Sequence, residues 1–499
     1  MKKKLLPALI VTGLIILVVI IMGITALINK YTPTKKTEDL KEYFNISSDD
    51  EAALIVDNEL SDYKAKIIDK KIYVDYKFVH DSLNSRFYWD ANENVLLYTT
   101  ASDIISAAAD SNSYSVTKQT NDFGYPIVKA TSDSALIALD YVKQYSNITF
   151  KSYDDPARIV ITSKWDEIDS ATVSKSTQIR VKGGIKSPIL KEVKKDDKIT
   201  ILDSGDKWDK IATEDGVIGY IKGKALSESK KTKLTNPDYE EETFTHIKKD
   251  KDICLAWNQV TSQSANSKVP QVISSTKGIN VMSPTWFYLN DNNGNLADIA
   301  SKDYVSYCHS QGIEVWGLFS NFENTDVDAA YVLTHTSTRT TLINQIMSAA
   351  FNYELDGVNI DFENITEAAY GDSYIEFIRE LAIKCHNNGI SLSVDVTVPA
   401  SFNKFFNRSD MANFADYIVI MGYDEHYKGS DAGSVSSIPW VTEGVESTLK
   451  EVPADQIILG MPFYTRIWEL TPKEDDDAVT DTEDQSKYTV ASQVYSCLL

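Results

Sequence analysis

The chain has 499 residues and carries 72 acidic against 50 basic side chains, a formal net charge of −22 at pH 7. That length calls for about three domains rather than one. The acidic surplus excludes a nucleic-acid partner, which needs a basic footprint. Part of it sits in the run Glu474-Asp475-Asp476-Asp477, so it speaks to solubility more than to a binding surface.

Lys2, Lys3 and Lys4 precede an apolar run from Leu5 to Ile28. At a rise of about 1.5 Å per residue, roughly 24 residues span about 36 Å, enough to cross a bilayer with some tilt. Asn29-Lys30-Tyr31 follows with no small-residue cleavage pattern, so residues 1–30 read as an uncleaved transmembrane anchor rather than a signal peptide. The lysine cluster keeps the N-terminus cytoplasmic and puts the bulk of the chain outside the cell membrane. Residues 31–46 are a polar linker.

Residues 47–166 read as a mixed α+β stalk domain. Lys71–Val74 runs into a helical stretch from Phe78 to Leu83, followed by strands at Phe87–Asp90 and Val95–Tyr98. A similar order recurs with Tyr125–Val128, a helix over Ser134–Tyr145, then Ile148–Phe150 and Ile159–Ile161. This weak repeat resembles the small domain named after the N-terminal part of copper amine oxidases, without a copper site: His80 and His246 are the only histidines before the parallel region. Residues 170–228 show short strands at Thr177–Val181, Ile199–Leu202, Trp208–Ala212 and Gly219–Gly223, with close turns at Asp206-Lys207 and Asp215-Gly216, as in a small all-β barrel. Their order and the ending Gly219-Tyr220-Ile221 resemble bacterial SH3-type domains. In those relatives such modules often bind cell-wall peptide, with a plain spacer as the other reading.

A charged linker over 229–249 leads to residues 250–499, where strands and helices alternate as in a parallel α/β fold. Seven strand-like runs are expected: Ile253–Trp257, Gly278–Tyr288, Ile313–Phe319, Gly357–Glu363, Ile390–Val398, Tyr417–Tyr423 and Ile457–Tyr464. Helices are clearest at Thr340–Asn352 and Tyr374–Asn387. Cys254, Cys308, Cys385 and Cys497 lack metal-type spacing, and Cys254 and Cys385 read as buried thiols. No His or Cys cluster of metal-binding type and no phosphate loop occurs, so neither metal nor other cofactor is expected.

The informative stretch is Leu355–Asn364. Val358, Ile360 and Phe362 alternate with Asn359, Asp361 and Glu363, and residues two apart on a strand share a face. Three polar groups therefore line one face of a strand with buried neighbours. Two carboxylates pointing into one crowded space raise at least one of their pKa values, which suits a general acid.

The pattern Asp356-Gly357-x-Asn359-x-Asp361-x-Glu363 resembles the DGxDxDxE signature of family 18 glycoside hydrolases, the chitinase-like (β/α)8 barrels. The resemblance implies that Glu363 protonates the glycosidic oxygen. It implies also that Asp361 orients the substrate's N-acetyl group, whose carbonyl oxygen attacks the anomeric carbon; this route is an exception to the two-carboxylate scheme. Asn359 stands where many chitinases carry Asp, a departure shared with the spore-cortex and cell-wall lytic N-acetylglucosaminidase branch. Met421-Gly422-Tyr423-Asp424 resembles the family's M-x-Y-D motif. It makes Tyr423 the donor to the N-acetyl carbonyl and Asp424 a partner of substrate hydroxyls, with His426 either a sugar contact or structural. Gly460–Trp468 resembles G-x-P-x-Y-x-R-x-W, placing Tyr464 and Arg466 in the cleft. Trp286 is a candidate sugar-stacking ring or a core residue, and Asp395 a buried partner of the site or a satisfied core polar group.

The expected fold class is thus an α/β (β/α)8 TIM-type barrel preceded by an SH3-like domain, an α+β stalk and an N-terminal transmembrane helix. After Glu469–Lys487, an acidic loop, Tyr488–Leu499 reads as a possible helix start, so the barrel as given lacks its eighth strand and its activity is conditional on that strand. The expected partner is a polysaccharide containing N-acetylglucosamine, peptidoglycan before chitin. The rival readings are a non-catalytic glycan-binding barrel and a wall tether whose barrel is a remnant.

Overall fold

The computed structural model describes residues 2–363, 365, 368–472, 485 and 488–496. The chain divides into two units, Met1–Ser85 with Thr131–Glu241 and Arg86–Ala130 with Glu242–Leu499.

The first unit begins with a helix over Lys2–Tyr31. Within it Leu9–Tyr31, with a mean hydropathy of 2.9, is long and apolar enough to cross a membrane, and none of it is buried in protein. A mixed sheet follows in which Glu51–Val56 pairs parallel to Arg158–Thr162 and antiparallel to Glu59–Ile68. The strand Lys71–Asp75 feeds a helix over Tyr76–Ser82, and Ala135–Ala138 feeds one over Leu139–Gln144. The helix expected over Ser134–Tyr145 therefore starts only at Leu139. Residues 136–138 pair instead with Tyr73–Asp75, a tertiary gain that outweighs the helix propensity of Ala135 and Ala138. Seven further strands between Glu167 and Lys233 form an antiparallel sheet. The two sheets share one core through Ile55, Ile179, Ile211 and Ile221, and Arg158 bridges them by pairing with Asp215 at 2.5 Å.

In the second unit, Phe87–Asp122 forms a five-stranded antiparallel meander. Residues 86–130, read from sequence as part of the stalk, pack with the parallel half of the chain. The reason is polar as well as apolar. Asp90 accepts hydrogen bonds at 2.6 Å from both the backbone N–H and the hydroxyl of Thr336, and Glu93 accepts from the N–H of Ser337 at 3.0 Å. These carboxylates satisfy orphan donors at the start of α1 (Thr336–Tyr353), whose own N-cap, His335, makes no side-chain cap. Thr99 donates to Glu376 at 2.8 Å and Tyr88 meets Ser373 at 2.9 Å, both on α2 (Ala368–His386).

The parallel sheet holds β1 (Leu255–Asn258), β2 (Val281–Leu289), β3 (Glu314–Ser320), β4 (Gly357–Asp361), β5 (Ser391–Thr397), β6 (Tyr417–Met421) and β7 (Ile457–Gly460), paired in chain order. Strands such as β6, buried throughout, show why a continuous apolar run was needed: both faces are covered. β1 and β7 share no backbone hydrogen bonds among the described residues. They are nonetheless close, since a Cβ on Gly460 would lie 2.8 Å from Cη2 of Trp257 and 3.0 Å from the Ile420 carbonyl. Glycine is required there by the close approach.

Three expectations change in this half. The seventh run is not one strand to Tyr464: β7 ends at Gly460, and Tyr464–Pro472 (β8) pairs antiparallel with Tyr488–Ser496 (β9) in a separate hairpin. Tyr488–Ser496 is thus a strand, not a helix start; its Tyr, Thr and Val content favours a ladder over a helix. Most of the acidic segment between the two lies outside the described residues. Cys385 and Cys308 are buried, but Cys254 is exposed, one residue before β1 begins at the sheet's edge, and Cys497 lies outside the described residues.

Candidate active site

The alternation of β4 sorts its side chains as the strand period demands. Val358 and Ile360 are fully buried in the apolar core beneath the helices, while Asn359 and Asp361 share the other face. Asn359 is wholly enclosed. Its Oδ1 accepts from the Trp257 indole N–H at 3.0 Å and from the Ser283 hydroxyl at 2.9 Å. Its Nδ2 donates to Asp395 Oδ1 at 2.7 Å. An amide fits this place because it both accepts and donates, whereas a carboxylate could not donate to Asp395 and would repel it. The polar side-chain atoms of Asn359 are thus engaged by three side chains, which it ties together.

Asp395 comes from β5 and is only 2% exposed. Burial pushes its carboxyl up to about 8, against the pull of the Asn359 and Trp257 donors. Asp361 ends β4, and its carboxyl is held well above the usual carboxylate range by burial first, then by the charges of Asp395, Glu363 and Glu323. Its Oδ1 is buried and makes no hydrogen bond among the described residues.

Glu363 lies just beyond the strand, with its side chain open to solvent and its backbone N–H held by Asn321 Oδ1 at 3.0 Å. Partial burial of its carboxyl, then the charges of Asp424 and Glu323, raise its pKa. One carboxyl thus lies deep at the end of β4 and its neighbour sits at the mouth, open to solvent. A cavity of about 250 Å³ opens beside Glu363 and Asp395, with Phe402, Phe405, Phe406 and Met421 on its apolar wall.

Tyr423 follows β6. Its ring stands edge-on to Trp257 and to Tyr464, each with centroids 6.1 Å apart. Burial and the charges of Asp395, Asp361 and Glu363 push its hydroxyl up, so it remains a neutral O–H donor at neutral pH. Asp424 takes a left-handed backbone conformation, with φ of 59°, which Asp tolerates better than most side chains. It accepts from Arg466 Nη2 at 2.8 Å and from the Tyr464 hydroxyl, whose pKa is raised by burial and by that bond. Both partners come from the hairpin strand β8, so the M-x-Y-D and P-x-Y-x-R segments meet at Asp424.

Trp286 does not join the site. It is fully buried, its indole N–H is given to Asn266 Oδ1 at 2.8 Å, and Tyr304 packs edge-on against it at 4.9 Å. No face is left for a sugar. His426 donates its Nδ1–H to the Asp431 carbonyl, 2.9 Å away, within its own loop. Five residues that sequence reasoning passed over sit at the site: Trp257, Ser283, Asn321, Glu323 and Tyr374. Trp257, Asn321 and Glu323 lie in or just after the C-terminal ends of β1 and β3, where a parallel α/β fold collects its chemistry; that position was the available signal. Tyr374 lies on an apolar helix stripe with Phe377 and Ile378, and nothing in the sequence sets it apart.

Residues 318–496 match the family model of Glycosyl hydrolases family 18. Over 194 residues the chain is 25% identical to the uncharacterized glycosylase YvbX of Bacillus subtilis (strain 168), covering 36% of this chain and 55% of that protein. It is 32% identical over 141 residues to the putative sporulation-specific glycosylase YdhD of the same organism, covering 28% and 33%. It is 26% identical over 187 residues to that organism's cortical fragment-lytic enzyme, covering 36% and 43%. The chain thus spans about half, or less, of the length of these curated relatives.

Proposed function

We propose that this chain, on the strength of its family 18 match, is a glycosidase that cleaves β-linked N-acetylglucosamine in a cell-wall glycan, peptidoglycan before chitin. The observation that carries this reading is an open, pKa-raised Glu363 two residues beyond a deep Asp361 that ends β4. The relatives named as cortical fragment-lytic and sporulation-specific glycosylases support a wall glycan as substrate.

The mechanism is substrate-assisted, on a (β/α)8-type frame. The acetamido carbonyl oxygen attacks C1, the C1–O bond breaks, and Glu363 gives its proton to the departing oxygen. Tyr423 donates a hydrogen bond to the acetamido oxygen as charge develops there, and Asp361 accepts from the acetamido N–H and steadies the cyclic cation. Glu363, now a base, takes a proton from the water that attacks C1, and configuration is retained. Asp424, Tyr464 and Arg466 hold sugar hydroxyls, and the apolar wall around Phe402 and Phe405 faces the sugar's C–H surface. The helix Leu9–Tyr31 anchors the chain in the cell membrane with the catalytic unit outside.

Purified full-length chain in detergent is incubated with peptidoglycan and, separately, with chitin, and new reducing ends are assigned by mass spectrometry. The reading expects N-acetylglucosamine ends from peptidoglycan. Release from chitin alone would move the substrate, and release from neither would contradict the assignment.

A further inference from the structure

The face of β4 that carries Asp361 adjoins a face of β5 that carries Asp395. In the parallel register Asn359 lies opposite Ser393 and Ile360 opposite Val394, so the next pair along is Asp361 and Asp395. Each presents one buried oxygen, Oδ1 of Asp361 and Oδ2 of Asp395, with no hydrogen-bond partner among the described residues, and the buried Tyr374 hydroxyl is unpartnered too.

The orientation of Asp395 is not free. Asn359 Oδ1 already receives two donors, Trp257 and Ser283, so the amide cannot flip without facing donor to donor. Its Nδ2–H is therefore fixed on Asp395 Oδ1, and Oδ2 is left turned to the unsatisfied side. Two ionised carboxylates side by side in a buried place repel strongly, whereas one proton between them turns repulsion into attraction.

We infer that Asp395 is a positioning residue that forms a proton-sharing pair with Asp361, one proton held between two carboxyls from neighbouring strands. In the hydrolytic reading above, on which this role rests, Asp361 turns to the acetamido N–H as an anion while the proton stays with Asp395. The pair also explains the amide at position 359: it anchors Asp395 without adding a third carboxylate. The groups facing the pair are Glu363 on the segment after β4, Glu323 after β3, Tyr374 on α2 and Tyr423 after β6. Among the described residues, the charges that act on either carboxyl are all acidic.

The test uses full-length Asp395→Asn, Asp395→Ala, Asp361→Asn and the Asp361→Asn/Asp395→Asn double variant. Stability is read first, by denaturation across pH 4 to 9. Both carboxyls are raised on folding, so the wild type loses stability as pH rises through the window from the ordinary carboxylate value to the raised values. Either Asn variant should flatten that loss, and the double variant should flatten it by less than the sum of the two. Additive effects, or unchanged slopes, would overturn the pair. Turnover is read second: Asp395→Ala should cut kcat at least about tenfold, the lower end of a lost proton-transfer partner's effect being larger still, with KM within about twofold. Asp395→Asn should recover part of that loss and move the alkaline limb of kcat by about a unit or more. Equal kcat loss and an unmoved limb in both variants would reduce Asp395 to packing. Should the wild type cleave no glycan, the hydrolytic reading fails, and the stability series still decides the pair.

Discussion

Trp257 on β1 and Asn359 on β4 are joined by a 3.0 Å hydrogen bond from the indole N–H to the amide oxygen, although two strands separate theirs in the sheet. The same indole lies against Gly460 on β7 and edge-on to Tyr423 after β6. One ring thus touches the residue that fixes Asp395, the proposed donor to the acetamido oxygen, and the last strand of the sheet.

Gly460→Ala should therefore act at a distance. Its methyl group would sit 2.8 Å from the Trp257 ring, with the Ile420 carbonyl at 3.0 Å closing the other side. The ring has to shift, and overpacking of this kind costs about 1–3 kcal/mol. Melting temperature and kcat should fall together. Trp257→Phe removes the indole N–H together with part of the ring, so it loses the hydrogen bond, worth about 1 kcal/mol, and packing besides; kcat and melting temperature should again fall together. Wild-type behaviour in both variants would show that the ring has no hold on the site.

Asp90→Ala tests whether residues 86–130 belong to the catalytic unit. The carboxylate caps α1 through Thr336, and losing such a cap costs about 0.5–2 kcal/mol. The melting transition of the unit that bears the family 18 match should drop, while KM for glycan stays unchanged. A drop confined to the other unit's transition would contradict this assignment.

Arg466→Gln should weaken substrate binding rather than chemistry. The guanidinium is largely buried and holds Asp424 at 2.8 Å, so its loss leaves the Tyr464 hydroxyl as that carboxylate's side-chain partner among the described residues. The expected result is a KM raised about tenfold, roughly the 1.4 kcal/mol of a lost charged hydrogen bond, with kcat within about threefold. A collapse of kcat at constant KM would assign Asp424 to the reaction itself.

Much of this was legible before the structure because it rests on local periodicity. The alternation of Val358 to Glu363 sorted the strand's two faces correctly, and the β-rich runs of the parallel region predicted all seven parallel strands to within a few residues. What stayed hidden depends on long-range partners. Nothing near Asn359 says that Trp257 and Ser283, 102 and 76 residues away, will consume its oxygen. Trp286 reads the same whether it faces a cleft or the core, and only the Asn266 partner decides. Ala135–Ala138 looks helical until a strand edge at Tyr73–Asp75 claims it. The excursion of 86–130 is invisible for a similar reason: Asp90 is an ordinary turn acid until the uncapped start of α1 lies beside it.

The central claim is that Glu363 is the general acid, and one variant addresses it. Glu363→Gln keeps the side chain's size and its place at the mouth of the site but removes the proton. Because burial and the Asp424 and Glu323 charges raise the Glu363 pKa, the wild-type rate should hold past the ordinary glutamate value and fall as pH rises through the raised one. The measurement is kcat/KM against pH on peptidoglycan for the wild type and Glu363→Gln, with melting temperatures alongside. The account predicts a loss of roughly 10²–10⁴-fold at every pH below the wild-type limb, with an unchanged fold. Full turnover by Glu363→Gln, with the same limb in its pH profile, would contradict it.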